Sequence, residues 1–279
     1  MKKREELFFK GLMIISSVII SGSFLMVVFS ILKKGLPAMN LDMLIKTPQG
    51  GYYIGKGGGV LNAIMGSVYI AIGSSFLALI ISLPIVLYIN SYLHKKSKLA
   101  LMTRFCQDVL VGIPSIVYGV FGFTLLMYFG LKASLFGGIC AVTLLVIPIM
   151  VRTMDEVLRG IPKELSEAAF SLGASRLELS VLLVKQGLPG IVTAVLLSFG
   201  RAIGDAASVL FTAGFSDNIP AGLESPVATL PLAILFQLSS PLEEVQSRSY
   251  ASAFILTCIV VVISIIARIL SKRFSKNRI

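Results

Sequence analysis

The sequence predicts an all-α polytopic membrane bundle of six transmembrane helices, and three observations carry that expectation. Of its 279 residues, 56% are hydrophobic and only 14% charged, against roughly 45–50% and 25% in ordinary soluble domains. A globule so short of charge could not cover its surface in water. Six apolar stretches reach the roughly 20 residues that crossing about 30 Å of hydrocarbon requires. The basic residues, finally, are spread unevenly over alternate loops. Together these features exclude a secreted disulfide scaffold, a disordered tail and a conventional soluble enzyme.

The spans fall near residues 11–32, 64–89, 109–129, 135–154, 191–211 and 250–270, within a single membrane domain 1–279. The first follows Lys2, Lys3 and Arg4. It is too long for a signal-peptide core and lacks an A-x-A cleavage site, so it reads as a retained span. The stretch 50–59 (GGYYIGKGGG) precedes the second. Its Lys56 is followed by Gly57 rather than Ser or Thr, which fails the phosphate-loop spacing and leaves a flexible lead-in. Pro84, Pro114 and Pro148 fall inside spans, where each removes a backbone hydrogen bond and kinks its helix. No repeat relates the first three spans to the last three, which points to one half of a dimeric pathway rather than a two-halved carrier.

Orientation follows from counting Lys and Arg. With the N-terminus inside, eighteen basic residues lie on the cytoplasmic side and six outside, with Arg201 within a span. That bias places both termini in the cytoplasm. It also explains the net charge of +11 without nucleic acid, which is not expected as a partner. Cys106, Cys140 and Cys258 form no C-x-x-C and have no nearby histidine, so they read as buried small hydrophobes rather than a disulfide or zinc set. His94, beside Lys95 and Lys96, reads as a solvated loop residue. No HExxH, nucleophile elbow or carboxylate cluster is present, so no enzymatic activity, metal or cofactor is expected.

Two features carry chemistry. Arg201 and Asp205 lie four residues apart near the middle of the fifth span, on one helical face. Charges at that depth are expensive, and by default mark a pathway facing the bundle interior. Arg offers a fork of donors suited to a tetrahedral oxyanion. Asp205 would balance that charge, or accept a proton from an anion that retains a hydroxyl, such as hydrogenphosphate but not sulfate. A structural ion pair is the alternative reading. The second feature is the loop 155–190. Pro162 suits a helix N1 position, Glu164 and Glu167 favour the positive dipole end, and Gly173 supplies a C′ stop. Ser175 with Glu178 then forms a capping box. The expectation is two helices joined by a glycine turn and ended by Pro189 and Gly190. Small Ala168, Ala169 and Gly173 would let a partner approach closely.

Glu167-Ala168-Ala169, three residues, then Gly173 resembles the EAA-x-x-x-G motif of type I ABC importer permeases. Pro114-Ser115-Ile116-Val117-Tyr118-Gly119 is similar to the P-S-I-V-Y-G of phosphate permeases. Arg201-Ala202-Ile203-Gly204-Asp205-Ala206 resembles their R-A-x-G-E-T, with Asp for Glu and Ala for Thr. Leu210-Phe211-Thr212-Ala213 is similar to the L-F-T-A of the A-type subunit, and Ser225-Pro226-Val227-Ala228-Thr229-Leu230-Pro231-Leu232 and Tyr250-Ala251-Ser252-Ala253 continue the match. The resemblance implies the A-subunit permease of a phosphate-specific ABC importer in a prokaryotic cytoplasmic membrane. It further implies a homologous C-type permease, a cytoplasmic ATPase dimer that supplies all hydrolysis, and an extracytoplasmic phosphate-binding protein, besides membrane lipid. By position, Arg201 and Asp205 would line the substrate pathway. Glu167, Ala168, Ala169 and Gly173 would couple to the ATPase. The outer loop 212–249 would include an interfacial helix at 226–238 that meets the binding protein or serves as a simple surface anchor. A permease for sulfate, molybdate or a phosphonate, a proton-coupled carrier and a membrane scaffold are the alternatives.

Overall fold

The computed structural model describes residues 2–49, 57–93 and 97–275, so most of the 50–59 lead-in, and His94 with its neighbours Lys95 and Lys96, lie outside the described residues. Within them, apolar runs become helices in chain order: α1 (Lys2–Gly35), α2 (Leu41–Ile45), α3 (Leu61–Leu87), α4 (Lys98–Val111), α5 (Ser115–Tyr128), α6 (Leu135–Arg159), α7 (Lys163–Ser171), α8 (Arg176–Ile203), α9 (Leu230–Leu238) and α10 (Glu243–Ser275). Five of these, α1, α3, α6, α8 and α10, are long and apolar enough to cross a membrane, and the bent pair α4 and α5 brings the number to six when counted as one broken span. The chain is a multi-pass membrane protein.

Helix α6 is the centre. Ser134 caps it by accepting from the Gly137 amide at 3.3 Å. Its buried face includes Val142, Val146, Met150 and Met154, and it packs against α3, α8, α5 and α4. Glycines set the closest approaches. At Gly187 and Gly190 of α8, a β-carbon would run into Leu158 and Val157 of α6, the small-residue contact by which membrane helices gain van der Waals packing. Helix α1 stands apart from this core, and its membrane-length window is wholly exposed. It meets the bundle through α10, where Gly35 lies against the Tyr250 carbonyl.

Four expectations change. The stretch 109–129 is not one helix. α4 stops at Val111, Pro114 occupies the N-cap of α5, and the two helices bend by 99°. A residue before proline is biased away from the helical region, and here, with Gly112 at the C-cap of α4, the helix stops before Ile113. The fifth span is shifted as well. α8 runs unbroken from Arg176 to Ile203, straight through Pro189 and Gly190, and ends eight residues before 211. Pro189 leaves one carbonyl of the preceding turn without its usual amide, while its own carbonyl accepts from the Thr193 hydroxyl at 2.8 Å. The segment 226–238 is not a surface helix: Leu230 and Leu232 are fully buried, and α9 packs on α10 and α3. Cys106 and Cys258 are exposed and Cys140 is half-buried, because in a membrane bundle apolar side chains face outward as readily as inward.

Gly66 of α3 tests the packing. A β-carbon there would collide with the Ala228 carbonyl and the Val227 side chain, whereas Gly22 of α1 faces open space. Gly66→Ala is expected to cost about 1–3 kcal/mol through overpacking and to lower the melting temperature in detergent. Gly22→Ala is expected to leave it unchanged or slightly raised.

Candidate functional site

Why α8 ends where it does decides the geometry of the charged pair. Gly204 is a poor helix former and takes the C-cap position. Asp205 follows and turns its side chain onto the backbone ahead, accepting from the amide of Ser208 at 2.9 Å and from its hydroxyl. This is the way an aspartate opens a new turn rather than extending an old helix. The pair therefore sits at a helix end, not at mid-helix, and Asp205 is outside the helix altogether. Arg201 stays in the last turn of α8, where the helix dipole favours a cation.

The two members are unequal. Arg201 Nη2 approaches Asp205 Oδ1 at 3.3 Å, but the Asp205 side chain is 2% exposed and that of Arg201 45%. Asp205 Oδ2 is held by Ser208, and the Ser208 carbonyl in turn accepts from the Thr212 hydroxyl at 2.8 Å. The Asp205 carboxylate is thus enclosed, with one oxygen on Ser208 and the other toward Arg201. That counts against the expected role as proton acceptor from a hydrogenphosphate-type anion. Arg201 lies on an open stripe of α8: Leu197 is exposed, and Gly200 and Gly204 on either side of it have next to nothing packed on them. A guanidinium on an uncrowded, glycine-flanked face can receive an oxyanion or face a second subunit.

Two motifs from distant parts of the chain close around this turn. Gly119 of the P-S-I-V-Y-G segment packs so near the 207–208 backbone that a β-carbon would lie 2.8 Å from the Ala207 carbonyl oxygen and 2.9 Å from that of Ser208. Phe123 of α5 meets Phe211, with ring centroids 6.3 Å apart.

The loop expected to dock a partner is a helix and a turn. Pro162 is the N-cap of α7 rather than its first residue. Gly173 adopts φ +81°. Its amide donates to the Phe170 carbonyl at 2.9 Å, and that of Ala174 to Ala169 at 3.0 Å, the paired bonds that end a helix on a left-handed residue. The capping box is present: Glu178 N donates to Ser175 Oγ at 3.3 Å, and Ser175 N to Glu178 Oε2 at 2.7 Å. Glu167 and Ala168 are exposed, and Ala169 packs on the core. Leu172 and Leu177 beside the turn are also largely exposed. Composition did not single them out, although two leucines flanking a polar turn are its apolar contact surface.

An α-helical bundle with a loosely attached helix at one end and a half-exposed charge at a helix terminus has the architecture of a membrane permease subunit. The chain belongs to the family described as binding-protein-dependent transport system inner membrane component, which matches residues 80–277. It is 33% identical over 251 residues to the phosphate transport system permease protein PstA of Pasteurella multocida (strain Pm70), covering 90% of this chain and 88% of that one. It is 35% identical over 250 residues to the protein of the same name in Xylella fastidiosa (strain 9a5c), covering 88% and 84%. Among solved structures, an inward-facing conformation of the MetNI methionine ABC transporter superposes with a TM-score of 0.61 over 76% of this chain and 94% of that one, at 18% identity, a likeness of fold. In this family the permease works with a separate ATPase and a substrate-binding protein, and does not itself hydrolyse ATP.

The inequality within the pair yields a stability test. Asp205→Ala strips the acceptor from the buried amide and hydroxyl of Ser208, an expected loss of about 1–3 kcal/mol. Arg201→Ala leaves both Ser208 bonds to the carboxylate in place and removes a half-exposed partner at 3.3 Å, so its cost is expected to be the smaller of the two. Unfolding of both variants in detergent would show the order, and a reversed order would mean that Asp205 is not the anchoring member.

Proposed function

We propose that the chain is a permease subunit of an ATP-driven phosphate importer, forming half of the translocation pathway beside a homologous C-type permease. The observation that carries the reading is the one-sided exposure of the charged pair: Asp205 is enclosed, and it holds Arg201 on the open face of α8. A buried carboxylate that orients an exposed guanidinium preorganises a fork of donors for a tetrahedral oxyanion. Two relatives at 33% and 35% identity, named as phosphate transport permeases, favour phosphate among the oxyanions. On this reading Arg201 meets the anion and Asp205 positions it. The open stripe of α8 faces the C-type subunit across the path.

The remaining assignments rest on the same reading. Helix α7 with Gly173 docks on the ATPase dimer through Glu167, Ala168 and the neighbouring Leu172, while Ala169 ties the helix to the core. Both termini are cytoplasmic, which the eighteen-to-six division of basic residues favours. The phosphate-binding protein meets the opposite end of the bundle, on the side of the 212–249 segment.

Labelled phosphate uptake in native cells with and without the gene is the direct test, with sulfate and phosphonate as competitors. Uptake should be lost on deletion, yet survive collapse of the proton gradient while ATP is maintained. Uptake that disappears with the gradient would favour a proton-coupled carrier, and uptake blocked equally by sulfate would favour a general oxyanion path. Arg201→Gln should lower uptake about tenfold or more, since a hydrogen bond to a charged group carries about 1.5–3 kcal/mol. Uptake by Arg201→Gln equal to that of the parent would remove Arg201 from the path.

The docking assignment has its own test. A left-handed backbone strains any residue with a β-carbon, β-branched ones most. Gly173→Val and Glu167→Lys are therefore expected to reduce co-purification of the ATPase while the melting temperature of the membrane bundle is retained. Undiminished ATPase with both variants would place docking elsewhere.

A further inference from the structure

Helix α3 ends in an unusual way. Its last turn, Tyr88–Tyr92, widens to a π-helix, with the Leu93 amide donating to the Tyr88 carbonyl at 3.2 Å. A π turn is a one-residue register shift of an α-helix, so it has a defined alternative, and such turns gather at functional positions. This one is held by side chains from two other helices. Asn90 Nδ2 donates to Asp155 Oδ1 of α6 at 2.8 Å. Arg176 Nη1, from the first residue of α8, donates to the Ser91 carbonyl at 2.6 Å.

Each of those contacts leads further. The Arg176 guanidinium lies over the Phe170 ring of α7 at 5.3 Å, so the π turn is one side chain away from the helix assigned to the ATPase. Asp155 is buried and clamped from the other side by Arg104 of α4, whose Nε donates to Oδ2 at 2.8 Å and Nη2 to Oδ1 at 3.1 Å. From Arg104, α4 runs to the 99° elbow, which the Tyr118 hydroxyl braces by donating to the Leu110 carbonyl at 2.8 Å. One residue on, Gly119 rests on the 207–208 backbone that holds Asp205, and hence Arg201.

We infer that Asp155 and Arg176 are positioning residues that couple the docking helix to the anion path, through the π turn and the α4–α5 elbow. The inference rests on the reading of α7 as the ATPase-docking element. Movement of α7 carries Phe170 and Arg176 with it. Arg176 pulls on the Ser91 carbonyl and biases the register of the π turn. The register sets where Asn90 meets Asp155, and the bidentate Arg104–Asp155 clamp passes that displacement to α4. The chain of contacts transmits rather than absorbs motion because its central charge is buried with every bond made. A slack arrangement would leave Asp155 uncompensated, which is strongly unfavourable. Arg152 provides an internal contrast. It also ties α4 to α6, bridging Asp108 at 3.2 Å and Glu156 at 3.3 Å, but both carboxylates are well exposed, so the tie holds no buried charge and no main-chain carbonyl of the π turn.

The test uses the full-length permease purified with its co-purifying subunits and reconstituted in liposomes with the binding protein and inorganic phosphate. Basal ATP hydrolysis, hydrolysis stimulated by the loaded binding protein, and phosphate imported per ATP are measured for Asp155→Asn, Arg176→Gln, the double variant and Arg152→Gln. Asp155→Asn and Arg176→Gln should keep the ATPase and its basal rate, yet import about tenfold less phosphate per ATP. The double variant should be no worse than the poorer single one, since both break the same linkage. Arg152→Gln should match the parent. An unchanged phosphate-to-ATP ratio in Arg176→Gln, or additive losses in the double variant, would overturn the linkage. Should Asp155→Asn fail to assemble, Arg176→Gln decides alone, because its side chain is exposed and its loss buries no unpaired charge. A parent complex that carries no ATPase would instead overturn the docking reading beneath.

Discussion

A chain this poor in charge must satisfy its backbone from within, and the demand is sharpest between Ile203 and Leu230, where helix gives way to irregular chain beside the apolar bundle. Non-helical backbone in such surroundings persists only where protein groups take the place of water. Here they do so one by one. Asp205 serves the Ser208 amide, the Thr212 carbonyl accepts from the Ser134 amide at 2.9 Å, the Ala213 carbonyl from Val227 at 3.0 Å, and the Ser67 hydroxyl from Leu230 at 2.8 Å. The bonds with Ser134 and Ser67 tie the segment to α6 and α3, and the other two fold it onto itself. The segment that carries the charged pair is thus also what locks α3, α6 and α9 together. Small residues are the steric condition for this, since Gly66, Gly119, Gly137 and Gly138 all lie where a β-carbon would strike the segment.

That arrangement explains how a charge can be placed beside a path without undermining the fold. Asp205 contributes to architecture, Arg201 is spare to it, and the division follows from their positions on either side of a helix end. Had the helix continued to residue 211, as apolarity alone suggests, both side chains would lie on one face with similar exposure and neither would be anchored. The break at Gly204 makes the pair asymmetric. A carboxylate bonded to backbone does not swing, so the guanidinium that leans on it keeps its place and loses less rotamer freedom on meeting an anion.

What the sequence made legible was local. The Ser175–Glu178 box and the Gly173 stop act through neighbours three to five residues away, so their residue types suffice to read them. The membrane class follows from composition, and the motif around Glu167 and Ala168 stands exposed where a partner could reach it. What stayed hidden was tertiary. Pro189 has the residue type of a terminator, but the helix continues through it inside the bundle, where Gly187 and Gly190 pack closely on α6. Hydropathy cannot distinguish a straight span from the α4–α5 elbow, since both are equally apolar. Nothing in residues 90, 91, 104, 155 and 176 announces that they meet, because the partners are 51, 65 and 85 positions apart. The cysteines misled for a related reason, as outside and inside are both apolar in a bilayer.

The two arginines with buried carboxylate partners mark the two ends of the chemistry. Arg104 makes two hydrogen bonds to its aspartate and is mostly buried, which suits a joint. Arg201 approaches Asp205 at the longer distance of 3.3 Å and keeps nearly half its side chain exposed, which suits a site that must bind and release. A guanidinium clamped as Arg104 is has its Nε and one Nη2 hydrogen committed and little exposed surface for a solute. One as loose as Arg201 could not hold two helices in register. The difference arises from the backbone. Asp155 lies within a continuous helix and has its side chain free for two partners, whereas Asp205 opens a turn and commits one oxygen to Ser208. Helix continuity at one aspartate and helix termination at the other therefore separate the clamped pair from the half-open one.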